Sequence, residues 1–83
     1  MSFSVLWLPE AEQELARIWM EATDRLAVRN AADILDRRLS SHPNDVGESR
    51  SGGRRIAFEK PLIIVFKIDP RAQTVEVQRV RDY

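Results

Sequence analysis

The stretch Leu62–Ile68, with the sequence Leu-Ile-Ile-Val-Phe-Lys-Ile, constrains the fold of this chain more than any other stretch, because it is almost wholly apolar and largely β-branched or aromatic. A strand that is apolar at both parities is usually buried on both faces, as the centre of a sheet is. Turn residues flank it at Lys60-Pro61 and Asp69–Gln73. We therefore predict a three-strand meander within Arg54–Val80, with Leu62–Ile68 as its middle strand.

The N-terminal half has the pattern of one strand and two helices. Ser2–Leu8 alternates Phe, Val and Trp with other residues and predicts a strand. A helix follows over Pro9–Ala22, and Thr23 or Asp24 can cap a second helix that runs to about Leu39. Their apolar stripes, all of which we assign to the core, are Ala11, Leu15, Ile18, Trp19 and Ala22, and then Val28, Ala31, Ala32, Leu35 and Leu39.

Length and composition limit the kinds of protein and of site that this sequence can encode. Its 83 residues predict one domain, 1–83, because a chain this short cannot divide its hydrophobic core. With no cysteine and one histidine, disulfides and thiolate metal sites are excluded, zinc is not expected, and we predict no cofactor. The start lacks the features of a secretory signal, and no stretch approaches the roughly 20 apolar residues of a membrane span. We therefore predict a cytoplasmic protein without a membrane partner.

Opposite charges are concentrated in the two halves of a chain whose net charge is zero. Residues 1–49 carry five arginines against nine Asp and Glu, whereas residues 50–83 carry eight Arg and Lys against four acids. The zero total argues against a strong nonspecific binder of nucleic acid. The basic second half favours an anionic partner, and the alternative is that acidic helices and basic strands are simply solvated.

The segment Ser40–Gly53 is the one long piece without usable periodicity. Loops of more than about 12 residues are often functional or mobile, and the alternative is a plain crossing from helix to sheet. Gly52-Gly53 lacks the lysine and the helix start of a phosphate-binding loop, so we take it as a turn. The whole pattern predicts an α+β fold of order β-α-α-β-β-β, with a helical hairpin packed on one face of a small antiparallel-type sheet.

Short motifs recur along almost the whole chain in an order that is typical of a known family. They are Val5-Leu6-Trp7, Pro9-Glu10-Ala11, residues 15–19, Asp24, residues 31–35, Pro43, Gly47, Gly53-Arg54-Arg55, Pro61-Leu62, residues 65–69 and Val75-Glu76-Val77. Each motif alone is weak. Their order and spacing resemble the RelE/ParE superfamily, the toxins of type II toxin–antitoxin, or plasmid stabilisation, systems.

The resemblance implies a small toxin with two helices on one face of an antiparallel sheet, silenced by an antitoxin segment that wraps it. It also implies one of two activities. Toxins of RelE type are ribosome-dependent mRNA endonucleases that need no metal, whereas toxins of ParE type poison DNA gyrase. The expected partners are therefore a cognate antitoxin and either gyrase or the ribosome with its mRNA, and a homodimer is a further alternative.

An RNA-cleaving site needs a base for the 2′-hydroxyl, an acid for the leaving oxygen and positive charge on the phosphate. By the resemblance, Arg55 matches the first basic position of a RelE-type site. The next two positions fall on Ala57 and Ile63, which are apolar and cannot stabilise phosphate charge. Our candidate catalytic residues are Arg55, Arg79, Arg81 and Tyr83, with Arg54 as a further phosphate contact, Glu48 or Glu59 as base and His42 or Tyr83 as acid.

The last strand favours the other branch of the superfamily. Residues 76–80 are similar to the strand of ParE-like toxins in which an arginine and a valine follow an acidic, apolar pair. ParE-type toxins need no nucleolytic centre, so the two apolar substitutions do not count against them. We therefore predict a ParE-like toxin that binds an essential target, with a RelE-like endonuclease or a degenerate, non-toxic binding module as alternatives. By simple alternation, Val75 and Val77 share one face of this strand with Arg79, Arg81 and Tyr83.

The middle strand predicts where a partner binds. If the helices cover the face that carries Leu62, Ile64 and Phe66, then Ile63 and Val65 lie on the opposite, open face. Apolar side chains grouped on an exposed sheet face usually mean a partner. We predict that an antitoxin segment or a second copy of the chain covers this face, and our candidate partner-binding residues are Ile63, Val65, Arg54 and Lys67.

Overall fold

The structure, a computed structural model that describes residues 2–83, contains two helices and five strands. The first half comprises strand β1 (Ser4–Trp7), helix α1 (Pro9–Glu21) and helix α2 (Arg25–Ser41). A 3-10 turn (Pro43–Asp45), the short strand β2 (Glu48–Ser49) and a second 3-10 turn (Ser51–Gly53) follow. The meander comprises β3 (Arg54–Glu59), β4 (Leu62–Asp69) and β5 (Thr74–Asp82). The order of the elements confirms the predicted plan. Strand β2 was not predicted, because two residues are too few to show a periodic pattern.

The strands form one sheet in the order β1-β5-β4-β3-β2, so β4 is its centre. β1 runs parallel to β5, whereas β2 with β3, β3 with β4 and β4 with β5 are antiparallel. Both neighbours of β4 pair with it along most of its length. The apolar run is therefore the central strand, as its composition predicted, and the α+β fold is confirmed.

Both helices begin for local reasons that the sequence contains. Pro9 stands at the start of α1, and Glu10 and Glu12 lie in the first turn, near the positive end of the helix dipole. At α2, the Oδ1 of Asp24 accepts a hydrogen bond from the N–H of Ala27 at 3.0 Å. The short link between the two helices makes them the predicted hairpin.

The core lies between this hairpin and one face of the sheet. Leu62, Ile64 and Phe66 of β4 are fully buried on that face, and the indole N–H of Trp7 donates to Asp36 at 3.0 Å, which ties β1 to α2. Within residues 2–83, no helix is long and apolar enough to cross a membrane. The buried apolar residues are Ala11, Val28, Ala31, Leu35, Leu39 and Val46 outside the sheet, and Ala57, Leu62, Ile64, Phe66, Val75, Val77 and Val80 within it.

The predicted parity of β5 is wrong, because a β-bulge interrupts its pairing with β4. Phe66 pairs with Val77, but the preceding residue of β4, Val65, pairs with Arg79, so Gln78 is extra. Val80 is consequently buried beside Val77, and Arg79 turns to the opposite face. Alternation along a sequence does not reveal an inserted residue that shifts the period by one.

The predicted placement of Trp19 in the core is also wrong. Trp19 is 42% exposed, whereas Glu14, which lies outside the apolar stripe, is only 6% exposed. Helix α1 packs against β5 through the side that carries Ala11 and Glu14, so Trp19 lies at the surface between α1 and α2. There the guanidinium carbon of Arg25 lies 4.7 Å from the centroid of the indole ring, a cation–π contact.

Candidate functional site

The face of the sheet opposite the helices, here called the open face, carries three rows of paired residues beside a polar row of Ser4, Thr74 and Asp69. Residues that pair across neighbouring strands point to the same face. The first row is Leu6, Glu76, Lys67 and Arg54; the second is Arg79, Val65, Ile56 and Glu48; the third is Arg81, Ile63 and Phe58. Ile63 and Val65 therefore lie on the open face, where the sequence predicted them, and Arg54 and Lys67 lie on the same face.

The open face combines apolar side chains with charged residues, most of which are basic. Leu6 and Phe58 are 52% and 55% exposed, and Ile56, Ile63 and Val65 are half-buried between them. Arg54, Arg79 and Arg81 each stand at one end of a row, and Lys67 lies within the first row. Glu48 ends the second row, and Glu76 lies within the first. A surface of this composition suits a partner that brings apolar side chains together with negative charge.

A buried carboxylate organises one end of the open face. Strand β1 pairs with β5 only as far as Val77, so α1 rather than a strand lies beside the remainder of β5. There the carboxylate of Glu14 accepts the backbone N–H of Val80 at 2.8 Å, in place of a strand neighbour. Arg79 donates to the same carboxylate through Nε and Nη2, the shorter contact being 2.8 Å, and Arg81 donates through Nη1. One carboxylate thus holds two arginines and the edge of β5.

The arginines keep Glu14 ionised despite its burial. Hydrogen bonding from Arg79, together with the bonds from the Val80 N–H and Arg81, lowers the pKa of Glu14 from 4.5 to about 2, against the opposing effect of burial. A second carboxylate also lies near Arg79: Oε1 of Glu10 is 3.5 Å from Nε of Arg79. Two carboxylates therefore balance the charge of Arg79 and Arg81, and the cluster carries little net charge.

Arg55 lies on the helix side of the sheet, away from this cluster. It pairs with buried Phe66, and its guanidinium donates to the backbone carbonyls of Asn44, Val46 and Gly47 at 3.0–3.1 Å. It also donates to Oγ of Ser49 at 2.9 Å. Arg55 therefore fastens the connection between α2 and β3 to the sheet, and the structure does not bring it together with Arg79 and Arg81.

The remaining acid and base candidates are dispersed. Tyr83 packs edge-to-face against Phe58, with ring centroids 5.8 Å apart, and the Nζ of Lys60 lies 5.3 Å from the Tyr83 ring. His42 caps the C-terminal end of α2, and Glu59 accepts from Arg38 at 3.4 Å. Glu48 lies on β2, and its Oε1 is 3.6 Å from Nη1 of Arg50. The structure therefore gathers Arg79 and Arg81 with each other and Tyr83 with Phe58, but not all the candidates at one point.

A separate apolar groove runs between the helices on the other side of the molecule. It has a volume of about 600 Å³, and its walls include Leu15, Trp19, Met20 and Val28, with Glu12, Arg29 and Asp33 among the residues of its lining. Met20 is 66% exposed. The groove shares no residue with the three rows of the open face, so the molecule presents two distinct apolar surfaces.

Sequence reasoning missed Glu14, whose carboxylate the structure places between Arg79 and Arg81. Its three neighbouring acids in α1, at positions 10, 12 and 21, are solvent-exposed, and nothing local separates Glu14 from them. The one usable signal is spacing: Ala11, Glu14 and Ile18 stand at i, i+3 and i+7, the spacing of one helix face. That pattern predicts a shared face but not that it is buried.

Comparison with known proteins identifies the fold. No family model matches the sequence, and no curated protein matches it. A chain of the toxin–antitoxin complex RelBE2 from Mycobacterium tuberculosis has a TM-score of 0.82 at 20% identity, over 100% of this chain and 93% of that chain. A chain of the chromosomal ParDE TA system from P. aeruginosa has a TM-score of 0.71 at 20% identity, over 96% and 95%.

The same fold also occurs as part of a larger protein. TrmO from P. aeruginosa matches with a TM-score of 0.63 at 16% identity, over 95% of this chain but only 33% of that chain. At such identities the similarity concerns the arrangement of the backbone. The two helices, the mostly antiparallel sheet and the agreement over almost the full length lead to one conclusion: this chain has the fold of the RelBE2 and ParDE chains, as its motifs predicted.

Proposed function

We propose that this chain is the toxin of a type II toxin–antitoxin system, that it acts by binding an essential target in the manner of ParE, with DNA gyrase as that target, and that a cognate antitoxin neutralises it. The observation that carries the proposal is the full-length match of its fold to chains of the RelBE2 complex and the ParDE system. The open face supplies the surface that such partners need.

The electrostatics of the cluster favour binding over RNA cleavage. A phosphate in the transition state of RNA cleavage gains negative charge, which a site must meet with uncompensated positive charge. Glu14 and Glu10 offset Arg79 and Arg81, and Arg55 is engaged with backbone carbonyls on the other side of the sheet. The arginines are therefore better suited to a single anionic group of a partner than to a reacting phosphate.

Inducible expression in bacteria tests the proposal directly. Growth, message integrity and plasmid supercoiling are followed in one culture. The ParE-like function predicts growth arrest with intact messages and altered DNA topology. Arrest with codon-linked message cleavage would establish the endonuclease instead. Normal growth in the presence of well-expressed, folded protein would identify a degenerate toxin or a non-toxic binding module.

Substitutions at the centre of the open face test the antitoxin surface. Ile63→Asp and Val65→Asp each place a charge where the partner is expected to bury apolar area, and we expect complex formation with the antitoxin to be lost. Both positions are half-buried on the face away from the core, so circular dichroism should show a folded monomer. Met20→Asp, a matched change in the helical groove, separates the two surfaces. Binding that survives both open-face changes would place the antitoxin elsewhere.

A second candidate function, a RelE-like metal-independent endoribonuclease, has one observation in its favour. Phe58 and Tyr83 are both more than half exposed and are packed against each other beside Lys60. Aromatic rings next to basic side chains can stack on the bases of single-stranded RNA. If the expression experiment shows message cleavage, Tyr83→Phe distinguishes the roles: loss of cleavage indicates that the phenol is the acid, and retention indicates that the ring only stacks. Arg55→Ala is a poor test because it also releases the connection before β3.

A further inference from the structure

The Arg79–Arg81 pair retains hydrogen-bond donors that the chain itself does not use. Glu14 occupies Nε and Nη2 of Arg79 and Nη1 of Arg81. Within residues 2–83, Nη1 of Arg79 and both Nε and Nη2 of Arg81 have no hydrogen-bond acceptor. The side chains of Arg79 and Arg81 are 44% and 59% exposed. The pair therefore combines fixed geometry on one side with free donors on the other.

Exposed arginine side chains are usually mobile in the free protein and lose side-chain entropy when they bind a ligand. Here the anchor is a carboxylate whose side chain is 7% exposed and which also accepts the backbone N–H of Val80. Because part of the entropy of both guanidinium groups is already lost in the free protein, a ligand that meets them binds at a lower cost.

The immediate surroundings of the pair are apolar. Arg79 pairs with Val65 and Arg81 with Ile63, so aliphatic side chains lie directly beside the two arginines on the open face. A ligand that places one group on the arginines can therefore place its neighbouring groups on this aliphatic surface.

We propose that Arg79 and Arg81 form a carboxylate-binding site at the end of the open face, which takes an Asp or Glu side chain of a partner protein segment, and that Glu14 is the positioning residue that organises it. The inference rests on the proposed function only in identifying that segment with the antitoxin. Glu14 does not contact the partner; it acts through the two arginines that it holds.

Three features favour a protein carboxylate over a nucleic-acid phosphate. Glu10 and Glu14 leave the cluster close to neutral, which suits one negative charge more than a polyanion. The adjoining Ile63 and Val65 offer surface to aliphatic side chains, not to a sugar–phosphate chain. The whole chain has zero net charge, which gives no long-range attraction for nucleic acid.

Three short peptides test the site by nuclear magnetic resonance of the full chain, with the arginine Nε–H signals as the readout. They are acetyl-Leu-Glu-Leu-amide, its glutamine counterpart and its phosphoserine counterpart. We expect the glutamate peptide to bind about tenfold more tightly than the glutamine peptide, the gain of a charge-assisted hydrogen bond. The signals of Arg79 and Arg81 should move during the titration. Equal binding of the two peptides would overturn the carboxylate site, and tenfold preference for phosphoserine would assign the pair to phosphate instead.

Glu14→Gln separates positioning from charge. The substitution makes the cluster more positive, so charge alone predicts tighter binding of the glutamate peptide, whereas loss of positioning predicts weaker binding by about tenfold. Glu12→Gln makes the same charge change at an exposed position of the same helix and should leave binding unchanged. Tighter or unchanged binding by Glu14→Gln would refute the positioning role.

A further variant keeps the test valid if Glu14→Gln does not fold. Arg81→Lys retains the positive charge but loses the planar fork, and we expect it to lose the preference for glutamate over glutamine. A retained preference would contradict the site. These titrations need no toxic activity. A negative titration would therefore not contradict the proposed toxin function, and the absence of growth arrest would not contradict the carboxylate-binding site.

Discussion

Glu14 shows how much one side chain can do when its neighbours come from distant parts of the chain. In α1 it is one of several glutamates, and only its contacts with residues 79–81 distinguish it. It replaces the missing strand neighbour of Val80, fixes two arginines and offsets their charge. A carboxylate buried to this extent is retained because every one of these groups satisfies part of its hydrogen-bonding capacity.

The pH dependence of stability follows from the lowered pKa of Glu14. Its pKa is about 2 in the folded chain against 4.5 ordinarily, so the unfolded chain takes up the proton first as the pH falls. The stabilisation is therefore fully present above pH 4.5 and is lost as the pH falls through about 2. Glu14→Gln should lower the free energy of unfolding at pH 7 by about 2 kcal/mol, discounted because both arginines are half exposed.

Urea unfolding at a series of pH values checks this prediction. The difference in unfolding free energy between the native chain and Glu14→Gln should shrink steadily in acid, because protonated Glu14 resembles glutamine. Glu12→Gln, in which an exposed acid of the same helix is changed, should show no such convergence. A constant difference between the native chain and Glu14→Gln from neutral pH to pH 2 would show that the charge of Glu14 is not what stabilises the cluster.

At the scale of elements, the connection between α2 and β3 is more ordered than its composition suggests. The sequence predicts an irregular piece over residues 40–53, whereas the structure forms two 3-10 turns and strand β2 there. Arg55 binds three carbonyls of this connection, and β2 pairs through Glu48 with Ile56 and through Ser49 with Arg55. Long-range hydrogen bonds, rather than local propensity, give the segment its shape.

Gly47 is the position at which this connection depends on one residue. Its φ is +69°, and a Cβ there would lie 2.0 Å from the carbonyl oxygen of Ile56, which belongs to the backbone of β3. Gly53 has a similar φ of +73° but open space around it, so it is the matched control. We expect Gly53→Ala to cost about 1–2 kcal/mol, the left-handed penalty alone. Gly47→Ala should cost about 2 kcal/mol more, because β3 must move.

Thermal or urea unfolding of the two glycine variants measures that difference. Hydrogen exchange of the β3 amides gives a second measure, since Gly47→Ala should speed exchange there and Gly53→Ala should not. Equal destabilisation by the two substitutions would mean that the approach of Gly47 to Ile56 is not a tight contact in solution.

Across the whole molecule, one sheet separates the core from the open face. The helices bury one face of β4, and the other face remains half-buried or exposed with basic residues around it. The free energy of unfolding of a native protein is only about 5–15 kcal/mol. This chain has a single core to supply it. The open face therefore contributes less to the core than the face that the helices cover.

Two phenylalanines on neighbouring strands test this division. Phe66 is fully buried among the core residues, whereas Phe58 is 55% exposed on the open face. Phe66→Ala should lower the free energy of unfolding by about 3–5 kcal/mol, through lost burial and the cavity that remains. Phe58→Ala should lower it by less than about 1 kcal/mol. A comparable loss from both would mean that the open face contributes to the core in solution.

The order and kind of the main elements could be predicted from local patterns in the sequence. The two helices, the three strands of the meander and the central place of Leu62–Ile68 follow from hydrophobic period, caps and turn residues, which act between near neighbours in the chain. The position of Ile63 and Val65 on the open face follows from the same alternation, because the extra residue at the bulge lies in β5 and not in β4.

The assembly of the candidate site depends on contacts between distant parts of the chain, which no local pattern predicts. The bulge at Gln78 set which face receives Arg79 and Arg81, and the rotation of α1 brought Glu14 rather than Trp19 to the sheet. The bond between Glu14 and Arg79 joins residues 65 positions apart. Such contacts depend on strand register and on the packing of one element against another, which sum weak interactions over the whole chain. A periodic pattern in the sequence records only which side chains share a face.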